Sequence, residues 1–160
     1  MSEQIKVGIS DYKLATAPNQ LVTIGLGSCV GIALYAPESK IGALSHIMLP
    51  DSSSFSDTSK WAKFANLALP NIVNELREQT KETKILAKIA GGASMFTFTN
   101  ESQTLQIGLR NIEAVKATLT ELEIPIVSEH VGGKMGRSMY VDLNDFNVKV
   151  RMVNREEFIL

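Results

Sequence analysis

Two hydrophobic rhythms alternate along the chain. Over residues 20–36 aliphatic and β-branched residues run almost continuously, broken by Gly25, Gly27 and Ser28. That pattern predicts two extended segments meeting at a tight glycine turn, with Cys29 opening the second. Pro37-Glu38-Ser39-Lys40 is a turn, and residues 41–49 are again apolar and extended, so residues 29–49 read as a hairpin buried on both faces. From residue 57 to about 80 the period lengthens: Trp61, Phe64, Ala65, Ala68, Ile72, Val73 and Leu76 recur at three- and four-residue intervals. This is the stripe of a helix, with Asp57, Thr58 and Ser59 available as caps and Pro70 kinking it or starting a second helix.

Residues 84–90 predict a strand running into Gly91-Gly92-Ala93-Ser94, with a further extended stretch at 95–99. Ile112, Val115, Leu119 and Leu122 mark a second helix, for which Asn111 is a candidate cap. Residues 124–131, 138–143 and 148–153 read as strands, the last two joined by Asn144-Asp145-Phe146-Asn147. No repeat or linker interrupts the pattern. The expectation is one mixed α/β domain over residues 1–160, with its core at about 20–153 and short extensions at both ends.

Composition mainly excludes. A chain of 160 residues with 44% apolar and 21% charged residues is large and apolar enough to bury a core. With 16 basic and 17 acidic residues the net charge is -1, which gives no electrostatic case for nucleic acid or an anionic membrane as partner. The first residues lack an apolar signal core, and no segment approaches the ~20 apolar residues of a membrane span, so a cytoplasmic protein without direct membrane insertion is expected. One cysteine, Cys29, and two histidines, His46 and His130, allow neither an internal disulfide nor a metal-ligand cluster. A lone thiol in a reducing compartment is either an inert buried side chain or a nucleophile.

The hairpin bears on that choice. Direct partners across it have residue numbers adding to a constant near 75 to 77, and an even-length loop at Pro37 and Glu38 makes the sum odd. Cys29 then lies opposite residue 46 or 48, on the face that carries His46, with Cβ atoms roughly 4.5 to 8 Å apart. An imidazolium at that distance would lower the thiol pKa and support a thiolate near neutral pH. Gly31 and Ala33 share the face and would leave room for substrate, while Gly27 and Ser28 offer free amides to a developing oxyanion. The plainer alternative, a small buried cysteine beside a satisfied core histidine, stays open at this point. His130 is a rival base, although nothing in the sequence brings it to Cys29. Gly132-Gly133-Lys134-Met135-Gly136-Arg137 lacks the spacing of a phosphate loop and reads as a structural or substrate-lining turn. Arg110, beside Asn111, is a candidate docking charge.

These segments resemble the chemoreceptor glutamine deamidases, the CheD family. The resemblance rests on Leu26-Gly27-Ser28-Cys29-Val30, Leu44-Ser45-His46-Ile47-Met48-Leu49-Pro50, residues 88–96, Ile107-Gly108-Leu109-Arg110-Asn111 and residues 131–137, in that order. It implies a layered α/β sandwich similar to cysteine-dependent toxin deamidases, with Cys29 as nucleophile, His46 as general base and Thr23 as third catalytic residue. It implies hydrolysis of glutamine side chains to glutamate on methyl-accepting chemotaxis receptors, no metal or organic cofactor, and a second partner, the CheC phosphatase. The competing expectations are a non-catalytic adaptor or activator of CheC and receptors, and a receptor methylesterase.

Overall fold

The computed structural model describes residues 2–94 and 107–160. Among the described residues ten strands form two five-stranded sheets. One sheet has the order β1 (Gln4–Lys6), β3 (Gln20–Leu26), β8 (Arg137–Asp142), β9 (Val148–Met152), β10 (Glu157–Ile159). The other has the order β2 (Tyr12–Thr16), β5 (Ile41–Ile47), β4 (Val30–Ala36), β6 (Leu86–Gly91), β7 (Ile126–Val131). Pairing is antiparallel except for β1 with β3 and β6 with β7. Both sheets are therefore mixed. Two helices, α1 (Ala65–Thr80) and α2 (Ile107–Glu121), complete the fold.

Side-chain alternation along β4 explains the layering. Val30, Ile32, Leu34 and Ala36 point to one face, where they meet Ala68, Leu69, Ile72 and Leu76 of α1 and Val115 and Leu119 of α2. Ala33 and Tyr35 point to the other, where they meet Leu21 and Leu26 of β3, Met139 and Val141 of β8, and Val150 of β9. Every residue of β4 is buried because the strand lies in a middle layer, helices on one side and the outer sheet on the other. The outer sheet alternates instead: in β8 Arg137, Met139 and Val141 are buried while Ser138, Tyr140 and Asp142 are half-buried.

The expected α/β sandwich is present, and its six central strands match the predicted segments, β6 and β8 each passing the predicted bounds by one residue. Two elements differ. The first helix does not begin at Asp57, whose carboxylate accepts from the amide and hydroxyl of Ser59. Trp61–Lys63 form a 3₁₀ turn, and Phe64 is extended because Leu49 donates to the Lys63 carbonyl and Ala65 donates back to Leu49. Pro70 sits inside α1, five residues past its start, without ending it. The N-terminal residues are no mere extension: β1 joins the outer sheet and β2 the middle one. The stretch expected at 95–99 lies outside the described residues.

Gly31 of β4 faces the outer sheet. A Cβ placed there would collide with Met139 Sδ and lie 3.2 Å from Leu26 Cδ1. The space beside Gly31 and Ala33 is thus filled by the outer sheet, and Gly31 does not line a substrate cavity. Gly31→Ala is expected to cost about 1–3 kcal/mol by overpacking. In urea titrations of both single variants and the double, Met139→Ala should cost less in the Gly31→Ala background than alone; strict additivity would show that this contact is not the constraint.

Candidate active site

The site is built where β3, β4 and β5 meet. Gly31 pairs with His46, so the cross-strand constant is 77 and His46 projects from the middle sheet toward β3. Cys29 lies one residue before the first pair of this ladder, Val30 with Ile47. Cys29 is half-buried against the core between the sheets, whereas His46 is fully buried.

Thr23 of β3 meets His46 from the opposite sheet. Its hydroxyl lies 2.6 Å from His46 Nδ1 and donates to the Val7 carbonyl at 2.7 Å. A hydroxyl carries one proton and a carbonyl can only accept, so with that proton on Val7 the 2.6 Å contact requires Nδ1–H to donate to Thr23. Neutral His46 is therefore the Nδ1–H tautomer. Its Nε2 carries a free lone pair and is buried without a hydrogen-bond partner. The backbone of His46 is held as well, its amide donating to Asp11 and its carbonyl accepting from Ser10.

Cys29 sits on a turn whose carbonyls are held one after another. Ala93 N–H binds the Gly27 carbonyl at 2.8 Å, Asn111 Nδ2 binds that of Ser28 at 2.9 Å, and Gly92 N–H binds that of Cys29 at 2.8 Å. Just before the turn, β3 bulges between Thr23 and Leu26, with Gly25 at φ 79°. Gly91, at φ 113°, allows β6 to pass so close to the turn that a Cβ there would collide with the Cys29 carbonyl oxygen. Gly27 and Ser28 are half-buried, and Gly27 lines a shallow apolar groove with Ile24, Gly25, Gly136 and Val153.

Burial sets the charge state. It raises the Cys29 thiol, against a smaller opposing effect of its own backbone amide, and pushes His46 down to about 4. A resting thiolate–imidazolium pair, expected from adjacency alone, is thus replaced by a neutral thiol and a neutral imidazole. From that state a thiol can attack only if a base takes its proton, and Nε2 of His46 is an unpartnered acceptor.

The other candidates have different roles. His130 of β7 pairs with Ala90, which pairs with Gly31, so it stands two strands, about 10 Å, from β4. Its Nδ1 accepts from Arg137 Nη1 at 2.8 Å and its ring packs on Phe158 at 4.5 Å. Arg137 also binds the carbonyls of His130, Gly132 and Met135, which makes residues 131–137 a turn braced by a buried guanidinium. Arg110 is exposed. Asn111 is not the cap of α2; it lies inside the helix, fully buried, and binds the Ser28 carbonyl in the turn before β4. Among the described residues no three His, Cys, Asp or Glu side chains are grouped to hold a metal ion, and no helix is long and apolar enough to cross a membrane.

A partly exposed thiol, a buried imidazole with a free lone pair and a hydroxyl fixing its tautomer are the elements of a cysteine-dependent acyl-transfer site. The model of the family described as CheD chemotactic sensory transduction matches residues 48–152, and the chain belongs to this family. It is 48% identical over 151 residues to a Clostridium botulinum (strain Eklund 17B / Type B) protein named "Probable chemoreceptor glutamine deamidase CheD", covering 94% of this chain and 93% of that one. Proteins of the same name from Clostridium novyi (strain NT) and Moorella thermoacetica (strain ATCC 39073 / JCM 9320) are 49% and 48% identical, covering 94% and 96% of this chain and 94% and 93% of their own. Among solved structures, the Bacillus licheniformis hypothetical protein YfiH is similar at a TM-score of 0.48 and 16% identity, over 75% of this chain and 49% of that one. That likeness is too distant to bear on function.

Because the folded-state pKa of His46, about 4, lies below its unfolded value of 6.5, the unfolded chain takes up this proton first as the pH falls. The contribution is intact above about 6.5, declines below it and levels near 4, a loss on the order of 3 kcal/mol. Urea unfolding at pH 7 and pH 5 should show a smaller drop for His46→Gln than for the wild type. Equal drops would show that His46 is not protonated on unfolding in that window.

Proposed function

We propose that the protein hydrolyses the side-chain amide of glutamines on methyl-accepting chemotaxis receptors, producing glutamate and ammonia. The observation that carries this reading is the orientation of His46: Thr23 occupies its Nδ1, its Nε2 is left free, and His46 pairs with Gly31, two residues from Cys29. The names of relatives sharing nearly half their residues with this chain supply the substrate class.

In the proposed reaction Cys29 Sγ attacks the glutamine Cδ while its proton passes to His46 Nε2. The carbonyl electron pair moves to the oxygen, where backbone amides of the nucleophile turn stabilise it. His46 then protonates the nitrogen as the C–N bond breaks, ammonia leaves and a thioester remains. Water, deprotonated by His46, attacks the thioester; the thiolate recovers its proton and glutamate is released. Thr23 keeps the ring in the productive tautomer throughout.

The setting follows from the substrate. The protein acts in the cytoplasm on receptor arrays, reaching them through protein contacts, and the family resemblance adds the CheC phosphatase as a second partner. Each conversion replaces a neutral side chain by a carboxylate and so changes the charge of the receptor.

A receptor cytoplasmic fragment incubated with wild type, Cys29→Ala or His46→Gln and examined by peptide mass analysis tests the reading. Wild type should convert defined glutamines to glutamate, and each variant should be slower by a factor on the order of 10³ or more. Conversion by Cys29→Ala at the wild-type rate would remove the cysteine mechanism. Loss of a methyl ester with glutamines untouched would identify a methylesterase.

A further inference from the structure

We infer that Asn111 is a positioning residue of this reaction: by binding the Ser28 carbonyl it turns the Ser28–Cys29 peptide so that the Cys29 amide faces the oxygen of the group under attack. The inference rests on the amidohydrolase reading above.

Asn111 stands out on the buried face of α2. Its neighbours there, Ile112, Val115 and Leu119, are apolar and pack on the middle sheet. The Asn111 amide is fully buried, and its two N–H groups reach out of the helix, to the Ser28 carbonyl at 2.9 Å and the Met48 carbonyl at 3.1 Å. Both partners are carbonyls and can only accept, so the nitrogen must face them and the side-chain orientation is fixed. The opposite atom, Oδ1, is left buried without a partner. Leucine would fill much the same volume without that unmet acceptor, but it would leave two buried carbonyls without donors. The single side chain thereby joins the turn before Cys29 to the end of β5 just past His46.

Backbone geometry carries the step to catalysis. Among the described residues the only cis peptide is Ala17-Pro18, so the Ser28–Cys29 peptide is trans, and its C=O and N–H point in opposite directions. With the Ser28 carbonyl drawn toward α2, the Cys29 amide is turned away from the helix. The carbonyls on either side, of Gly27 and Cys29, are drawn in by Ala93 and Gly92. The Cys29 amide belongs to the residue that carries the attacking Sγ, so turning it away from the helix sets a donor beside the atom at which the oxyanion forms. Of the three groups that hold the turn, Ala93 and Gly92 act through backbone amides, and only Asn111 acts through a side chain that substitution can remove.

The test compares Asn111→Asp, which keeps the shape and loses the paired donors, with Asn111→Ala, so that one variant decides if the other fails to fold. Thermal unfolding establishes which is folded. Steady-state deamidation of the receptor fragment and the rate of Cys29 alkylation by iodoacetamide are then measured. Alkylation displaces iodide at a saturated carbon and builds no oxyanion. The expected result is a kcat lower on the order of 10²-fold with little change in KM, and alkylation at close to the wild-type rate. A kcat near that of the wild type overturns the inference. So does alkylation slowed in step with deamidation, which would assign Asn111 to packing of the thiol. A wild-type protein that leaves receptor glutamines unchanged overturns the functional reading, and this inference with it, before any variant is compared.

Discussion

One proton, on the hydroxyl of Thr23, orders the centre of the molecule. It is donated to the Val7 carbonyl, so the hydroxyl can only accept from His46, and the imidazole is left with its lone pair on Nε2. The contact is also structural. Val7 follows β1, Thr23 lies in β3 and His46 in β5, so the two hydrogen bonds tie the outer sheet to the middle one at a point where no water competes. A polar junction between two packed layers is stable only when its donors and acceptors are matched. Here the one unmatched atom of the imidazole, Nε2, is the atom the proposed reaction uses.

The layering makes that chemistry possible. Because the middle sheet is covered on both faces, His46 is removed from water and its charged form is disfavoured, which keeps it a neutral base. Cys29, at the open end of β4, stays accessible from outside. In the proposed reaction substrate reaches the thiol from the surface while His46 acts from within. The turn bearing the thiol cannot drift, since β6 and α2 hold three successive carbonyls. Segments far apart in sequence, around residues 29, 48, 92 and 111, converge on a few backbone atoms.

Much of this was legible in the sequence. The periodicities located the central strands and both helices, and the hairpin expected over residues 29–49 is present as β4 and β5, with Gly31 opposite His46. Other features rest on information that periodicity does not contain. Thr23 entered only by resemblance to a family, because a threonine in a strand looks like any good strand former until its partner on the other sheet is known. The Asp57 start failed because long-range pairing of Leu49 with Phe64 overrode local capping chemistry. Asn111 was read as a cap because asparagine favours that position, whereas its bonds to Ser28 and Met48 span 83 and 63 residues. Gly31 looked like room for substrate, since a missing side chain cannot reveal that Met139 fills the gap. The expectation of a thiolate beside an imidazolium left out burial, which pushes the thiol up and the imidazole down.

The central claim is the tautomer of His46, and long-range ¹H–¹⁵N correlation NMR on histidine-labelled protein at neutral pH measures it directly. His130, whose Nδ1 accepts from Arg137, provides an internal contrast, and His46→Gln assigns the signals. The expected spectrum shows His46 protonated at Nδ1 and bare at Nε2, with His130 in the opposite tautomer. A His46 protonated at Nε2, or at both nitrogens, would contradict the account, because no lone pair would then be available to take the proton of Cys29.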